Sequence, residues 1–285
     1  MITPFNEKDD VDYDKFVRNI EQWNKRELSG YLVLGSNSET VYLTDEEKLE
    51  LIRLTVKHRK KDRRVLAGTG LESTRETIRL TNNAADLGVD AALIITPFYY
   101  GGKMTDDALI NYFTEVANHS KIPILLYNVT KFTHINISPY AVKILSKHPN
   151  IIGIKDSSGN MAQMVEYIQV KDPEFNLLVG TASAWYPALN LGIEGGIMAL
   201  ANACPEECAR VQQYFIEGDL KKARELYIRL FPVNKAVTET FGVAGLKYTC
   251  DLLGFEGGMT RKPLLNSTEE EKKKMTEILK SAELI

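Results

Sequence analysis

The segment Ile151-Ile152-Gly153-Ile154-Lys155-Asp156-Ser157-Ser158-Gly159 places a lysine at the end of a short apolar run. Apolar and small residues followed by a turn cluster predict a buried strand, with Ile152 and Ile154 on one face and Gly153 and Lys155 on the other. Lys155 therefore stands at the carboxyl end of a core strand. Desolvation penalises an ammonium there unless it is paired or sheds its proton, and a neutral buried amine is a nucleophile. The plainer reading is a lysine that emerges at a strand end and pairs with Asp156.

Three further stretches carry polar or nucleophilic groups at the ends of apolar runs. Tyr127 closes Ile124-Leu125-Leu126-Tyr127, Gly35-Ser36-Asn37-Ser38-Glu39 offers hydroxyl, amide and backbone groups, and Thr96-Pro97-Phe98-Tyr99-Tyr100 follows a third run. Taken singly, a tyrosine is ordinary core and Gly-Ser-Asn-Ser an ordinary turn. Convergence on one rim would make them a site.

The elements that hold them decide whether they converge. Strand-like runs occur at Gly30 to Gly35, Arg64 to Gly68, Ala91 to Thr96, Pro123 to Asn128, Ile151 to Lys155, Asn176 to Gly180 and Gly195 to Asn202. Helical segments lie between them, with start signals at Thr44 and Glu47, at Ser73 and Glu76, and at Ser138-Pro139. Such alternation predicts parallel strands joined by crossover helices. Seven visible strands plus one at Met1-Ile2-Thr3-Pro4 favour an α/β fold of the (β/α)8 barrel type, whose active sites lie at the carboxyl ends of the strands. The expected organisation is a barrel over residues 1–204, its first strand truncated, and a carboxy-terminal helical extension over 205–285.

Composition narrows the function classes. The 285 residues are 44% hydrophobic and 26% charged, with a formal net charge of -3, as in a soluble globular protein. Lys and Arg read as scattered, so no nucleic-acid partner is expected, and no apolar run is long enough to span a membrane. Cys204, Cys208 and Cys250 suit a reducing compartment, and no His completes a metal set with them. Gly68-Thr69-Gly70 lacks the third glycine of a dinucleotide fingerprint, and His58, His119, His134 and His148 have no triad-like partner. A cytoplasmic protein is expected, or a mitochondrial-matrix one if a leader has been removed.

Together Thr3-Pro4-Phe5, the Gly35 to Glu39 turn, Leu43 to Glu47, Thr96 to Tyr100, Tyr127-Asn128-Val129, Gly153 to Ser157 and Ala201-Asn202 resemble the dihydrodipicolinate synthase and N-acetylneuraminate lyase family of Schiff-base aldolases. The resemblance spans nearly the whole chain. It implies that Lys155 forms an imine with a 2-oxo acid, that Tyr127 relays protons, and that Ser36 and Asn37 hold the carboxylate. Ser157, Gly180 and Ile197 are the other expected substrate contacts. Tyr99 is expected to reach a neighbouring subunit's site, in a homo-oligomer that is a dimer of dimers. No metal or organic cofactor is implied, because the imine itself is the electron sink.

Within the family the chain is most similar to 4-hydroxy-2-oxoglutarate aldolase, through Ser36-Asn37, Ser157 and the pattern from Phe241-Gly242 to Pro263. Departures include Phe132 where the synthases place a substrate-binding arginine, Thr130 for a proline, and Ser38 and His134 for glycines. The expected reaction is cleavage of the C3–C4 bond to give glyoxylate and pyruvate, with Tyr127, oriented by Ser36, taking the C4 hydroxyl proton. A dihydrodipicolinate synthase or another 2-oxo acid lyase is the alternative. A non-catalytic keto-acid-binding barrel is a third reading.

Overall fold

Strands and helices alternate in the computed structural model, which describes residues 1–285. The chain divides into two units, residues 1–63 with 198–285, and residues 64–197. The first unit opens with α1 (Tyr13–Trp23), β1 (Gly30–Val33) and α2 (Asp45–His58). The second holds β2 (Arg64–Gly68), α3 (Thr74–Asp86), β3 (Ala91–Ile95), α4 (Asp106–His119), β4 (Ile124–Asn128), α5 (Thr130–Thr133), α6 (Pro139–Leu145), β5 (Ile151–Asp156), α7 (Met161–Val170), β6 (Asn176–Val179), α8 (Trp185–Asn190) and β7 (Gly195–Gly196). The first unit resumes with α9 (Pro205–Ile216), α10 (Leu220–Lys235), α11 (Gly242–Leu252) and α12 (Glu269–Ser281).

In the second unit β2 to β7 pair in sequence order, and every pair is parallel. Parallel neighbours require a crossover, and a helix supplies each one. Val65, Ala67, Ala92, Ile94, Ile124, Leu126 and Ile154 are inaccessible to solvent, which is why these strands read as unbroken apolar runs. The register aligns Ile95 with Tyr127, Tyr127 with Lys155, and Lys155 with Leu178. Residues in such a row share a face, so the pleat brings Tyr127 and Lys155 out on the same side.

Helix starts follow the sequence signals. Thr44 and Glu47 form a complete capping box, Ser73 accepts from Glu76 N, and Ser138 caps α6 with Pro139 as its first residue. Each such cap is worth about 1 kcal/mol.

Two expected strands are corrected. The run from Gly195 to Asn202 forms only the two-residue β7, because Ala199–Asn202 winds into a 3-10 turn. Met1 to Pro4 form no strand either. The Met1 ammonium donates to Leu32 O at 2.6 Å, and Ile2 N donates to Asn202 Oδ1 at 2.9 Å. The 3-10 turn presents a side chain to residue 2 where a ladder would need extended backbone. Basic residues are also less scattered than they read, since His58 to Arg64 is a basic run. It continues the last turn of α2, where positive charge offsets the helix dipole, and Arg64 pairs with Asp90 at 3.1 Å. No helix is long and apolar enough to cross a membrane.

Candidate active site

Lys155 is 6% exposed, and its Nζ lies 4.4 Å from the centroid of the Tyr127 ring. Its neighbour Asp156 turns to the other face of β5 and is occupied there. Asp156 Oδ2 accepts from Asn128 Nδ2 at 2.7 Å, and Oδ1 accepts from Ser158 N and Oγ at 2.8 and 2.5 Å. Asn136 and Gln163 extend this network to the Tyr167 hydroxyl, which donates to Ile137 O at 2.6 Å. The plain reading of Lys155 as a partner for Asp156 therefore fails. The network locks the ends of β4 and β5 from behind and leaves the lysine facing a ring.

Ser157 continues the inward row beyond Lys155, and its Oγ is buried with no hydrogen-bond partner. A Cβ on Gly180 would lie 1.8 Å from that oxygen and 2.8 Å from Lys155 Cε. Residue 180 must be glycine because the serine hydroxyl and the lysine stem occupy its side-chain space. Gly180 N donates to Asp156 O at 2.6 Å, and the half-buried Ile197 continues the pairing through a 2.9 Å bond to Val179 O. Lys155, Tyr127, Ser157 and Gly180 thus form one cluster. An unpartnered buried hydroxyl in it is a group able to serve a polar ligand.

Tyr99, Ser36 and Asn37 are the remaining sequence candidates. Tyr99 and Tyr100 are 76% and 72% exposed, and their rings meet edge-on at 5.0 Å. Glu72 fixes their loop by accepting from Phe98 N and Tyr99 N. Ser36 and Asn37 belong to the first unit, half-buried in the single 3-10 turn Ser36–Ser38. Ser38 Oγ donates to Met1 O at 2.6 Å, which gives the serine a role that a glycine could not fill. His134 has φ 55°, the left-handed backbone that explains why a glycine suits that position. Gly70 packs against the backbone of Ile95, so the Gly68-Thr69-Gly70 stretch serves strand packing.

Burial pushes the Cys208 thiol up to about 12 and raises Cys204 as well, so both are protonated core groups at neutral pH. Sequence reasoning missed the orphaned Thr96 hydroxyl, buried at the end of β3, and the network behind Lys155. The only sequence sign of that network is the amide of Asn128 and the carboxylate of Asp156 at the ends of runs that otherwise read as apolar.

Comparison with known proteins adds the family. The profile of the dihydrodipicolinate synthetase family matches residues 1–282. The chain is 36% identical over 285 residues to 4-hydroxy-tetrahydrodipicolinate synthase of Thermodesulfovibrio yellowstonii, covering 100% of this chain and 97% of that one. It is similar to the solved dihydrodipicolinate synthase of Bacillus anthracis, with a TM-score of 0.94 at 30% identity over 99% and 96% of the two chains. A third likeness is the Acinetobacter baumannii dihydrodipicolinate synthase complexed with pyruvate, at TM-score 0.94 and 27% identity over 100% and 97%. The fold class is α/β, the barrel with carboxy-terminal helices expected from the sequence.

The same relatives correct the expected activity. Cleavage of 4-hydroxy-2-oxoglutarate is the expectation from Ser36-Asn37, Ser157 and the Phe241-Gly242 to Pro263 pattern, with Phe132 in place of the synthases' arginine, yet the relatives are named as synthases. Phe132 has a basic neighbour. Its ring is 52% exposed, and Lys131 Nζ lies 5.5 Å from the ring centroid, so positive charge adjoins the position that lacks an arginine.

Proposed function

The chain belongs to the dihydrodipicolinate synthetase family, and on that premise we propose that it is a Schiff-base synthase condensing pyruvate with aspartate semialdehyde to 4-hydroxy-tetrahydrodipicolinate. The observation that carries this reading is the buried Lys155 Nζ set 4.4 Å from the Tyr127 ring. Lys48 and Lys247 are also buried, but they are committed to ion pairs with Asp45 and Glu39, so Lys155 is the available buried nucleophile.

Lys155 Nζ adds to C2 of pyruvate, and loss of water gives a protonated imine that withdraws electrons from C3. Loss of a C3 proton forms the enamine. Its C3 bonds to the aldehyde carbon of the second substrate while the aldehyde oxygen gains a proton. Tyr127 moves these protons, a role of the kind that contributes about 10²–10⁴ in rate. The second substrate's own amine then attacks the imine carbon, which closes the ring and frees Lys155. Ser36 and Asn37 hold the pyruvate carboxylate, Ser157 donates its unpartnered hydroxyl to a substrate oxygen, and Gly180 and Ile197 shape the space around C2. The functional form is a homo-oligomer in which Tyr99 enters a neighbouring copy's site.

Reduction with borohydride in the presence of pyruvate tests the reading. The expected result is a mass adduct on the peptide bearing Lys155, together with condensation when aspartate semialdehyde is added. An adduct on another lysine overturns the assignment of the nucleophile. An adduct on Lys155 without condensation turns the reading to a keto-acid-binding barrel.

A further inference from the structure

Glu39 ends the Ser36–Ser38 turn in a left-handed backbone conformation, φ 55° and ψ 35°, and is 2% exposed. A side chain in that region is held by its surroundings or not at all. Here the hold is ionic. Glu39 Oε1 lies 2.5 Å from Lys247 Nζ, with the two side chains at 1% and 2% exposure. They meet as an ion pair rather than an aligned hydrogen bond, and the aligned bond of Lys247 Nζ goes to Met259 O at 2.6 Å. Glu39 Oε2 accepts from Arg261 N at 2.8 Å.

The partners are themselves anchored. The Arg261 guanidinium forks onto Glu47 at 2.6 and 2.7 Å and donates to Asp9 O and Tyr42 O. Phe5 covers both cations, with its centroid 4.6 Å from Lys247 Nζ and 4.5 Å from Arg261 Cζ. Desolvation lowers the Lys247 pKa in spite of its carboxylate partner. Segments around residues 5, 9, 39, 47, 247 and 261 are therefore tied together through Lys247 and Arg261, both of which hold Glu39.

A buried ion pair is a poor device for stability, since apolar replacements are often neutral or better. Fixing a position is the other role such a pair can have. The group fixed is the last residue of the turn that carries Ser36 and Asn37.

We propose that Glu39, Lys247 and Arg261 are positioning residues for the Ser36-Asn37 turn, and that through it they set selectivity for ketones bearing a carboxylate. This rests on the proposed function, in which that turn holds the pyruvate carboxylate. Glu39→Gln combined with Lys247→Met removes both charges together and strands neither. Its test is borohydride trapping on Lys155 with pyruvate and, separately, with hydroxyacetone, which has the ketone but no carboxylate.

In the double variant the half-saturating pyruvate concentration rises tenfold or more, that for hydroxyacetone stays within twofold, and the thermal midpoint shifts little. Equal changes for the two ketones, or none for either, overturn the inference. Should the double variant be insoluble, Glu39→Asp keeps both charges but shortens the reach, and the same two-ketone comparison decides. Absence of any pyruvate adduct on wild-type Lys155 is a separate failure, of the proposed function, and removes this inference with it.

Discussion

Lys155 Nζ and the Tyr127 ring face each other at 4.4 Å across adjacent parallel strands in which the two residues are register partners. The ring covers the amine while the hydroxyl is a separate chemical resource, so the two contributions can be split. Tyr127→Phe is expected to keep pyruvate trapping on Lys155 and to lower kcat by about 10²–10³. Single-turnover trapping measured beside steady-state condensation checks it, and a kcat within threefold of wild type removes Tyr127 from the proton relay.

Gly180 gives a second handle. Gly180→Ala puts a methyl group 1.8 Å from Ser157 Oγ and 2.8 Å from Lys155 Cε, so it is expected to cost about 1–3 kcal/mol of stability and to slow imine formation. Adding Ser157→Ala relieves the first clash and leaves the second. The double variant should recover stability more fully than imine rate, as followed by thermal melts and timed trapping. Equal recovery of both would show that the lysine stem is free to move aside.

Legibility followed burial. The strands β3 to β5 are buried on both faces and β2 and β6 on one, so the apolar runs stand out, and the lysine and tyrosine at the ends of β5 and β4 stand out against them. The expected amino-terminal strand is absent because Met1 and Ile2 are held by a carbonyl and an asparagine side chain, a bonding mode with no periodicity. The Glu39, Lys247 and Arg261 cluster joins residues more than two hundred positions apart, so no local spacing records it. The missing arginine at Phe132 is legible in the sequence, whereas the approach of the Lys131 charge to that ring is visible only in the structure.

That charge yields a third prediction. If Lys131 supplies the cation for the second substrate's charged end, Lys131→Ala should raise KM for aspartate semialdehyde about two- to fivefold and leave the pyruvate KM unchanged, a loss of the size of one exposed charged contact. Initial rates with each substrate varied in turn distinguish this from a general loss of activity. A rise in the pyruvate KM of the same size would place Lys131 outside that role.

The cysteines set an alkaline limit. The Cys208 thiol is raised from 9.0 to about 12 by burial, and Cys204 and Cys250 are raised by the same cause. An acid raised in the folded state favours folding fully below its unfolded pKa, near 9. Above that the unfolded chain sheds protons that the folded chain keeps, so the stabilisation is lost as pH rises from about 9 to 12. Urea midpoints should fall over that window, and Cys208→Ala should flatten the fall. A thiol reagent at pH 8 should label none of the three until the chain unfolds.

Tyr99 and Tyr100 leave two aromatic rings in solvent on a loop that Glu72 holds in place. Exposed tyrosines on a fixed loop suit a protein interface, where the ring is buried and the hydroxyl finds a partner. Sedimentation should therefore show a dimer or larger, and Tyr99→Phe should lower turnover while the oligomer persists. Mixing Tyr99→Phe with Lys155→Ala under conditions of subunit exchange should restore activity, because some hybrids bring a wild-type lysine and a wild-type Tyr99 to one shared site. Full activity in a verified monomer, or no recovery despite proven exchange, would confine Tyr99 to its own subunit.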